Sequence, residues 1–208
     1  MIAYLIIGNN IDLSLFPFEK KSILIGVDRG AYLAVNSGLK LDVACGDFDS
    51  VNAKELALIK QHSKKIVILN SIKDITDAKQ ALIYAKAADK VVILGGIQGD
   101  RIEHFLAMLN MVREDPRIII QDENSVISRI DAALEPYDVQ KNAYRFISFF
   151  ALEDAVISLK GFQYPLNQYP LAVSDSLCIS NQLRNQKATI RISQGKVLMV
   201  RSKDDARV

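Results

Sequence analysis

From Met1 to about Ile120, short apolar runs alternate with stretches of helical periodicity. Strands buried on both faces read as continuous apolar runs, so this alternation predicts a parallel sheet joined by crossover helices. Strands are expected at residues 2–7, 22–27, 42–44, 65–69 and 90–94, with 117–120 as a sixth. The helices between them carry start signals. Asn52-Ala53-Lys54-Glu55 has the arrangement of a capping box ahead of Leu56 and Ile59. Thr76 is placed to cap a helix whose Ala78, Ala81, Leu82 and Ala85 share one face. A third helix follows a glycine cluster, with Ile102, Phe105, Leu106 and Leu109 as its expected buried stripe.

After about Gln121 helical periodicity fades, and short segments rich in Val, Ile, Phe and Ser take over. Residues 145–150, 156–159, 189–192 and 197–200 read as strands, punctuated by Gly161, Pro165, Pro170, Asn181 and Gly195. The predicted architecture is therefore α/β: an N-terminal, mostly parallel, Rossmann-like sheet with flanking helices, followed by a small antiparallel β-sandwich or barrel. The division falls at residues 1–121 and 122–208, with no Pro-, Gly- or Ser-rich linker between the halves. Two packed domains then share an interface, a common place for a small-molecule site.

Composition narrows the function classes. Half the residues are apolar, enough for a substantial core, and the opening run 1–7 is too short to span a bilayer. The net charge of +2 and the scattered basic residues give no nucleic-acid footprint. Cys45 and Cys178 lack the paired spacing of a zinc or redox motif, so a reducing, cytoplasmic setting without a disulfide is expected. His62 and His104 are too far apart for a histidine metal cluster.

Candidate chemistry gathers where predicted strands end, the position at which open parallel sheets bind ligands. In Gly46-Asp47-Phe48-Asp49-Ser50 an extended chain would point Asp47 and Asp49 the same way and turn Phe48 inward. Paired carboxylates repel unless they share a cation, and hard oxygen ligands suit magnesium carrying phosphates. The competing reading is a polar turn in which Asp49 or Ser50 caps the next helix. Asp74-Ile75-Thr76-Asp77 offers a second acidic group able to converge on one ion, or ordinary acidic helix-start chemistry. In Gly95-Gly96-Ile97-Gln98-Gly99-Asp100-Arg101, glycines let backbone approach an anion and Arg101 supplies donors. No Gly-x-x-x-x-Gly-Lys-Ser/Thr sequence occurs, which excludes a P-loop enzyme. His104 reads either as an acid/base group or as a packed histidine. Asp28 reads either as a further rim carboxylate or as a helix-start residue.

Together these segments resemble the thiamin pyrophosphokinase family over nearly the whole chain. Gly46-Asp47-Phe48-Asp49-Ser50 is similar to its Gly-Asp-x-Asp-Ser element, and Asp74-Ile75-Thr76-Asp77 to its Asp-x-Thr-Asp element. Gly95 to His104 resembles its Gly-Gly-x-Gly-x-Arg-x-Asp-His stretch. The resemblance implies that Asp47, Asp49 and Asp77 bind Mg2+ on the ATP phosphates. Asp28, Ser50, Asp74, Thr76, Gly96, Gly99, Arg101 and His104 would then surround the nucleotide. Gly161-Phe162-Gln163-Tyr164-Pro165-Leu166 and Ile179-Ser180-Asn181 are similar as well, which carries Ser180 and Asn181 over as thiamin ligands; read alone, that pair is a β-turn. The family also implies a homodimer whose thiamin sites draw on both subunits. Two positions depart from its pattern: Glu103 stands where Asp is usual, and Arg29 where glycine is usual. Two alternatives stay open, a pyrophosphokinase for another heterocyclic alcohol such as a pterin and a catalytically silent thiamin-binding protein.

Overall fold

The computed structural model describes residues 1–8, 10–70, 76–98 and 101–203. It divides into two compact units, Met1–Glu123 and Asn124–Val208.

In the first unit, strands β1 (Ile2–Ile7), β2 (Ser22–Val27), β3 (Leu41–Gly46), β4 (Ser63–Ile68), β5 (Lys90–Leu94) and β6 (Ile118–Gln121) lie in the order β4-β3-β2-β1-β5-β6. Every pairing among them is parallel. β1, β2 and β5 cover the residues the apolar runs predict, whereas β3 is longer at both ends and β4 begins two residues earlier. The chain builds outward from β1 to β4 and then crosses to β5 on the other side of β1. The β1/β5 junction is therefore the topological switch point, where parallel sheets open a crevice at their carboxyl ends.

Helices α1 (Arg29–Asn36), α2 (Ala53–Gln61), α3 (Asp77–Ala81) and α4 (Ile102–Glu114) complete the crossovers, and α3 runs on as a 3-10 turn over Leu82–Ala85. Tyr4, Ile6, Val92 and Leu94 form one buried cluster with Ala31, Ala34 and Ile59 of α1 and α2. Both sheet faces are buried, which is why β1 and β5 read as unbroken apolar runs. At the sheet's edge β4 exposes Lys64, Lys65 and Ile68, the first two being residues that discourage pairing with another chain. The capping box at the start of α2 forms as expected: Asn52 accepts from the backbone of Lys54 and Glu55, and the Glu55 carboxylate accepts from the Asn52 N–H. Thr76 caps α3 through the N–H of Lys79, 3.3 Å away.

The stripe expected on α4 is not the buried one. Ile102 and Leu106 are 64% and 52% exposed, while Met108, Met111 and Val112 are buried. Burial is confined to the second half of the helix, and the apolar side chains of its first turns at 102 and 106 face solvent.

In the second unit, β7 (Ser125–Asp131), β13 (Lys196–Ser202) and β9 (Phe146–Ala151) form one antiparallel layer. β11 (Leu166–Leu171), β10 (Ala155–Lys160), β12 (Lys187–Gln194) and β8 (Tyr137–Gln140) form another. Phe149, Phe162, Ile157, Ile190 and Met199 join the layers in one buried cluster, a sandwich. Phe149 and Phe162 meet edge to face, with centroids 6.0 Å apart. Pro170, expected as punctuation, lies within β11, an edge strand, where a missing N–H costs no ladder bond.

Both cysteines are free and buried. Burial, and then the charge of Asp175, push the Cys178 thiol up to about 11. At pH 8 neither thiol should react with a water-soluble disulfide reagent until denaturant is added, which a thiol titration checks. No described helix is long and apolar enough to cross a membrane.

Candidate active site

Parallel pairing brings the carboxyl ends of these strands to one edge. Ile7 lies opposite Val27, Val27 opposite Cys45, and Ile6 opposite Leu94. Carried one residue further, that register sets Gly8, Asp28, the last residue of β3 (Gly46) and Gly96 side by side, at a strand spacing of about 4.8 Å, with Gly95 opposite Ile7. Two of these glycines are required by geometry. A Cβ on Gly95, at φ +93°, would stand 2.3 Å from the Ile7 carbonyl oxygen, and a Cβ on Gly46, at φ +152°, would stand 1.7 Å from Asp28 Oδ1. The glycine turn after β5 thus borders the switch point.

Asp28 follows β2 directly. It occupies the cap position of α1 yet makes no side-chain cap bond. Its backbone N–H donates to the Cys45 carbonyl at 3.0 Å, and its carboxylate accepts from the Phe48 N–H at 3.4 Å. The helix-start reading of Asp28 gives way to a carboxylate lying over the β3 loop. The price is backbone strain, since φ 48°, ψ −123° is a region that residues with a Cβ avoid.

The β3 loop is not extended. Phe48 is buried but left-handed, at φ 58°. The chain reverses there, and the Asp49 N–H turns back to Asp47 Oδ1 at 3.2 Å. The polar turn is therefore real, but its carboxylates do not cap α2, because Asn52 does. Asp47 is half-buried, whereas Asp49 and Ser50 are exposed.

Asp77 is half-buried at the first position of α3, which packs against β1, β2 and β3. Thr76 is exposed beside it; Asp74 and Gly99 lie outside the described residues. Gly96, at φ +79°, packs against Met108. Arg101 is exposed, and its Nε donates to Glu103 at 2.8 Å, which holds the Glu103 carboxyl below its usual range. His104 is exposed as well, so it is not the packed histidine of one sequence reading. Among the described residues no three His, Cys, Asp or Glu side chains are grouped closely enough to hold an ion by themselves. Asp47, Asp49 and Asp77 therefore do not form a closed three-carboxylate cage.

One rim residue escaped the sequence reading. Asp122, directly after β6, is only 3% exposed and accepts from Gln98 of the glycine turn at 3.4 Å. Its neighbour Glu123 accepts the Asp12 N–H at 2.6 Å. An Asp-Glu pair after a predicted strand is the same kind of signal as Asp47 and Asp49, hidden here by the change of texture at that point.

In the second unit Ser180 is exposed and left-handed, at φ 58°, with its N–H held by Ser148 Oγ at 2.9 Å. Asn181 is buried. Its Oδ1 accepts from Tyr164 at 3.1 Å and Gln182 at 2.9 Å, and its Nδ2 donates to the Tyr164 carbonyl at 2.8 Å. The Asn181 amide is thus committed inside the protein and fixes the loop that presents Ser180.

The models "Thiamin pyrophosphokinase, catalytic domain" and "Thiamin pyrophosphokinase, vitamin B1 binding domain" match residues 17–121 and 137–197. The chain belongs to the thiamin pyrophosphokinase family. A thiamine pyrophosphokinase of Bacillus subtilis is 30% identical over 194 residues, covering 89% of this chain and 90% of that protein. The crystal structure of a Bacillus subtilis thiamine pyrophosphokinase superposes with a TM-score of 0.87 at 30% identity, covering 98% of this chain and 99% of that one. That of the Geobacillus thermodenitrificans thiamin pyrophosphokinase gives 0.84 at 27% identity, with both chains covered completely. These relatives share the α/β unit and the antiparallel unit predicted from the sequence. The comparisons support neither a pterin pyrophosphokinase nor a silent thiamin-binding protein.

At Glu103 and Arg29, the two positions where the sequence departs from the motifs it resembles, each side chain forms an ion pair. Glu103 meets Arg101, and Arg29 meets Glu55.

Proposed function

We propose that this protein transfers the terminal diphosphate of ATP to the hydroxyl of thiamin, giving thiamin diphosphate and AMP. The observation that carries this reading is the row at the sheet's carboxyl edge: Asp28 and the Asp47/Asp49 turn on one side of β1, the glycine turn of β5 on the other. Three strand spacings separate β3 from β5, about 14 Å, which suits an extended polyphosphate better than a single ion.

The donor set fits magnesium. It consists of hard carboxylate oxygens, and an open group of them suits an ion that takes the rest of its shell from phosphates and water. Asp47 and Asp49 would hold it, with Asp77 at the start of α3 and Asp74 as further carboxylates. Bound there, Mg2+ neutralises charge on the transferring phosphates.

The protein's remaining task is alignment. Ser50 and Thr76 offer hydroxyls beside the carboxylates, while Gly96, Gly99, Arg101 and His104 border the nucleotide. The thiamin hydroxyl attacks the β-phosphorus in line. Its bond to the bridging oxygen breaks, AMP leaves with that oxygen, and a rim carboxylate takes the hydroxyl proton. Ser180 is the thiamin ligand, and Asn181 holds it in place.

Sites shared within a homodimer are part of the proposal. Tyr164, whose backbone is hydrogen-bonded to Asn181, and Leu177 and Ile179, close to Ser180 in the chain, are all at least 45% exposed, apolar side chains that a second subunit would cover. The setting proposed is the cytoplasm, which supplies ATP and Mg2+ and keeps both thiols reduced. Purified protein given ATP, Mg2+ and thiamin should release AMP only when thiamin is present. Release of ADP, or AMP formation indifferent to thiamin, contradicts the reading.

A further inference from the structure

Two consecutive residues at the end of β2 hold the carboxylate loop at two points. Asp28 accepts the Phe48 N–H, and Arg29 Nη1 reaches the Ser50 carbonyl at 3.4 Å. The same nitrogen donates to Glu55 Oε2 at 2.6 Å. That oxygen also accepts the Asn52 N–H at 2.9 Å, so Arg29 is joined to the capping box that starts α2. The guanidinium carbon lies 4.7 Å from the centroid of the Tyr32 ring, a third contact fixing its direction. Glu55 is only 15% exposed, which screens this pair less than an open surface bridge.

The segment between these points is Phe48-Asp49-Ser50, with its left-handed phenylalanine and with Asp47 directly before it, and Asp28 is itself strained. Backbone in such conformations persists only where its surroundings over-determine it. A glycine at position 29 could supply neither the contact with Ser50 nor that with Glu55.

We propose that Arg29 is a positioning residue, bracing the Asp47/Asp49 loop against the start of α2 so that both carboxylates are pre-set for a metal-bound polyphosphate. The proposal rests on the diphosphate-transfer reading above. Arg29 touches neither substrate nor ion; it acts through Ser50 and Glu55.

The test is calorimetric binding of α,β-methylene-ATP with Mg2+, without thiamin, alongside steady-state turnover and thermal unfolding. Arg29→Ala should weaken analogue binding and raise the Mg2+ concentration for half-maximal turnover, each by about tenfold. The melting temperature should move by no more than a few degrees. Arg29→Lys, which keeps a cation facing Glu55, should recover part of the loss. Glu55→Gln keeps an acceptor for Asn52 but removes the charge, and should weaken binding similarly. The double variant should bind no more weakly than Arg29→Ala, because the two changes break one interaction. Should Arg29→Ala fail to fold, Glu55→Gln decides alone. Wild-type affinity in both single variants, or losses that add fully in the double variant, overturns the brace. Wild-type protein that binds the analogue yet releases no AMP refutes the transfer reading and leaves the brace standing.

Discussion

Asp49→Asn should reduce thiamin-dependent AMP release by about 1,000-fold, the scale seen when a group that stabilises transition-state charge is removed. Asparagine preserves the size and shape of the side chain but carries no charge to offer a cation. Asp49 is exposed and caps no helix, so the fold has little reason to change. Thermal unfolding within about 1 kcal/mol of wild type should therefore accompany the loss. Asp47→Asn should behave similarly in turnover and in stability, because the asparagine Oδ1 can still accept the Asp49 N–H. An Asp49→Asn enzyme with undiminished turnover would remove that carboxylate from the mechanism.

The second large effect is expected at a residue with no functional group. In Gly46→Ala the new methyl would fall 1.7 Å from Asp28 Oδ1 and 2.6 Å from its carboxyl carbon, on backbone at φ +152°. Asp28 must swing away and give up the Phe48 N–H, which loosens the loop carrying Asp47 and Asp49. A displacement of that size should lower turnover by about 100-fold. Strain should take about 1–3 kcal/mol from stability, measured by chemical denaturation. Gly38→Ala is the control. Gly38 also has a positive φ, +81°, but nothing within 4 Å of its Cβ position. It should lose about 1 kcal/mol at most and keep full activity.

Much of this arrangement could be read from the residues alone, and the failures have identifiable causes. β1, β2 and β5 declare themselves because burial on both faces leaves no polar interruption. The caps at Asn52 and Thr76 are local, so a few residues suffice to predict them. Strand ends carrying acidic and glycine-rich segments point to the rim, since parallel pairing brings those ends to one edge. What is hidden depends on contacts between distant segments. Phe48 is left-handed only because its ring is buried and Asp28 holds its N–H, and no local preference of phenylalanine suggests it. Asp28 resembles any helix-start aspartate until its carboxylate is seen over Gly46. Ile102 and Leu106 match the helical period but lie on an exposed face of the first turns of α4. Strands β8 and β11 are faint because one is mostly exposed and the other contains Pro170.

Backbone strain recurs in both units. Of the four described non-glycine residues with positive φ, Asp28, Phe48 and Ser180 lie in the segments singled out for chemistry. In each, a hydrogen bond from elsewhere in the chain fixes the strained turn: Asp28 to Cys45, Phe48 to Asp28, Ser180 to Ser148. These loops are held in one shape before a ligand arrives, which lowers the ordering cost of binding.

The most direct measurement is a crystal structure with Mg2+ and α,β-methylene-ATP. Density for an ion within about 2.1 Å of carboxylate oxygens from Asp47 or Asp49, with the phosphates running past Gly8 toward Gly95 and Gly96, is the predicted result. An ion and triphosphate seated away from the carboxyl ends of β1, β2, β3 and β5 would contradict the account.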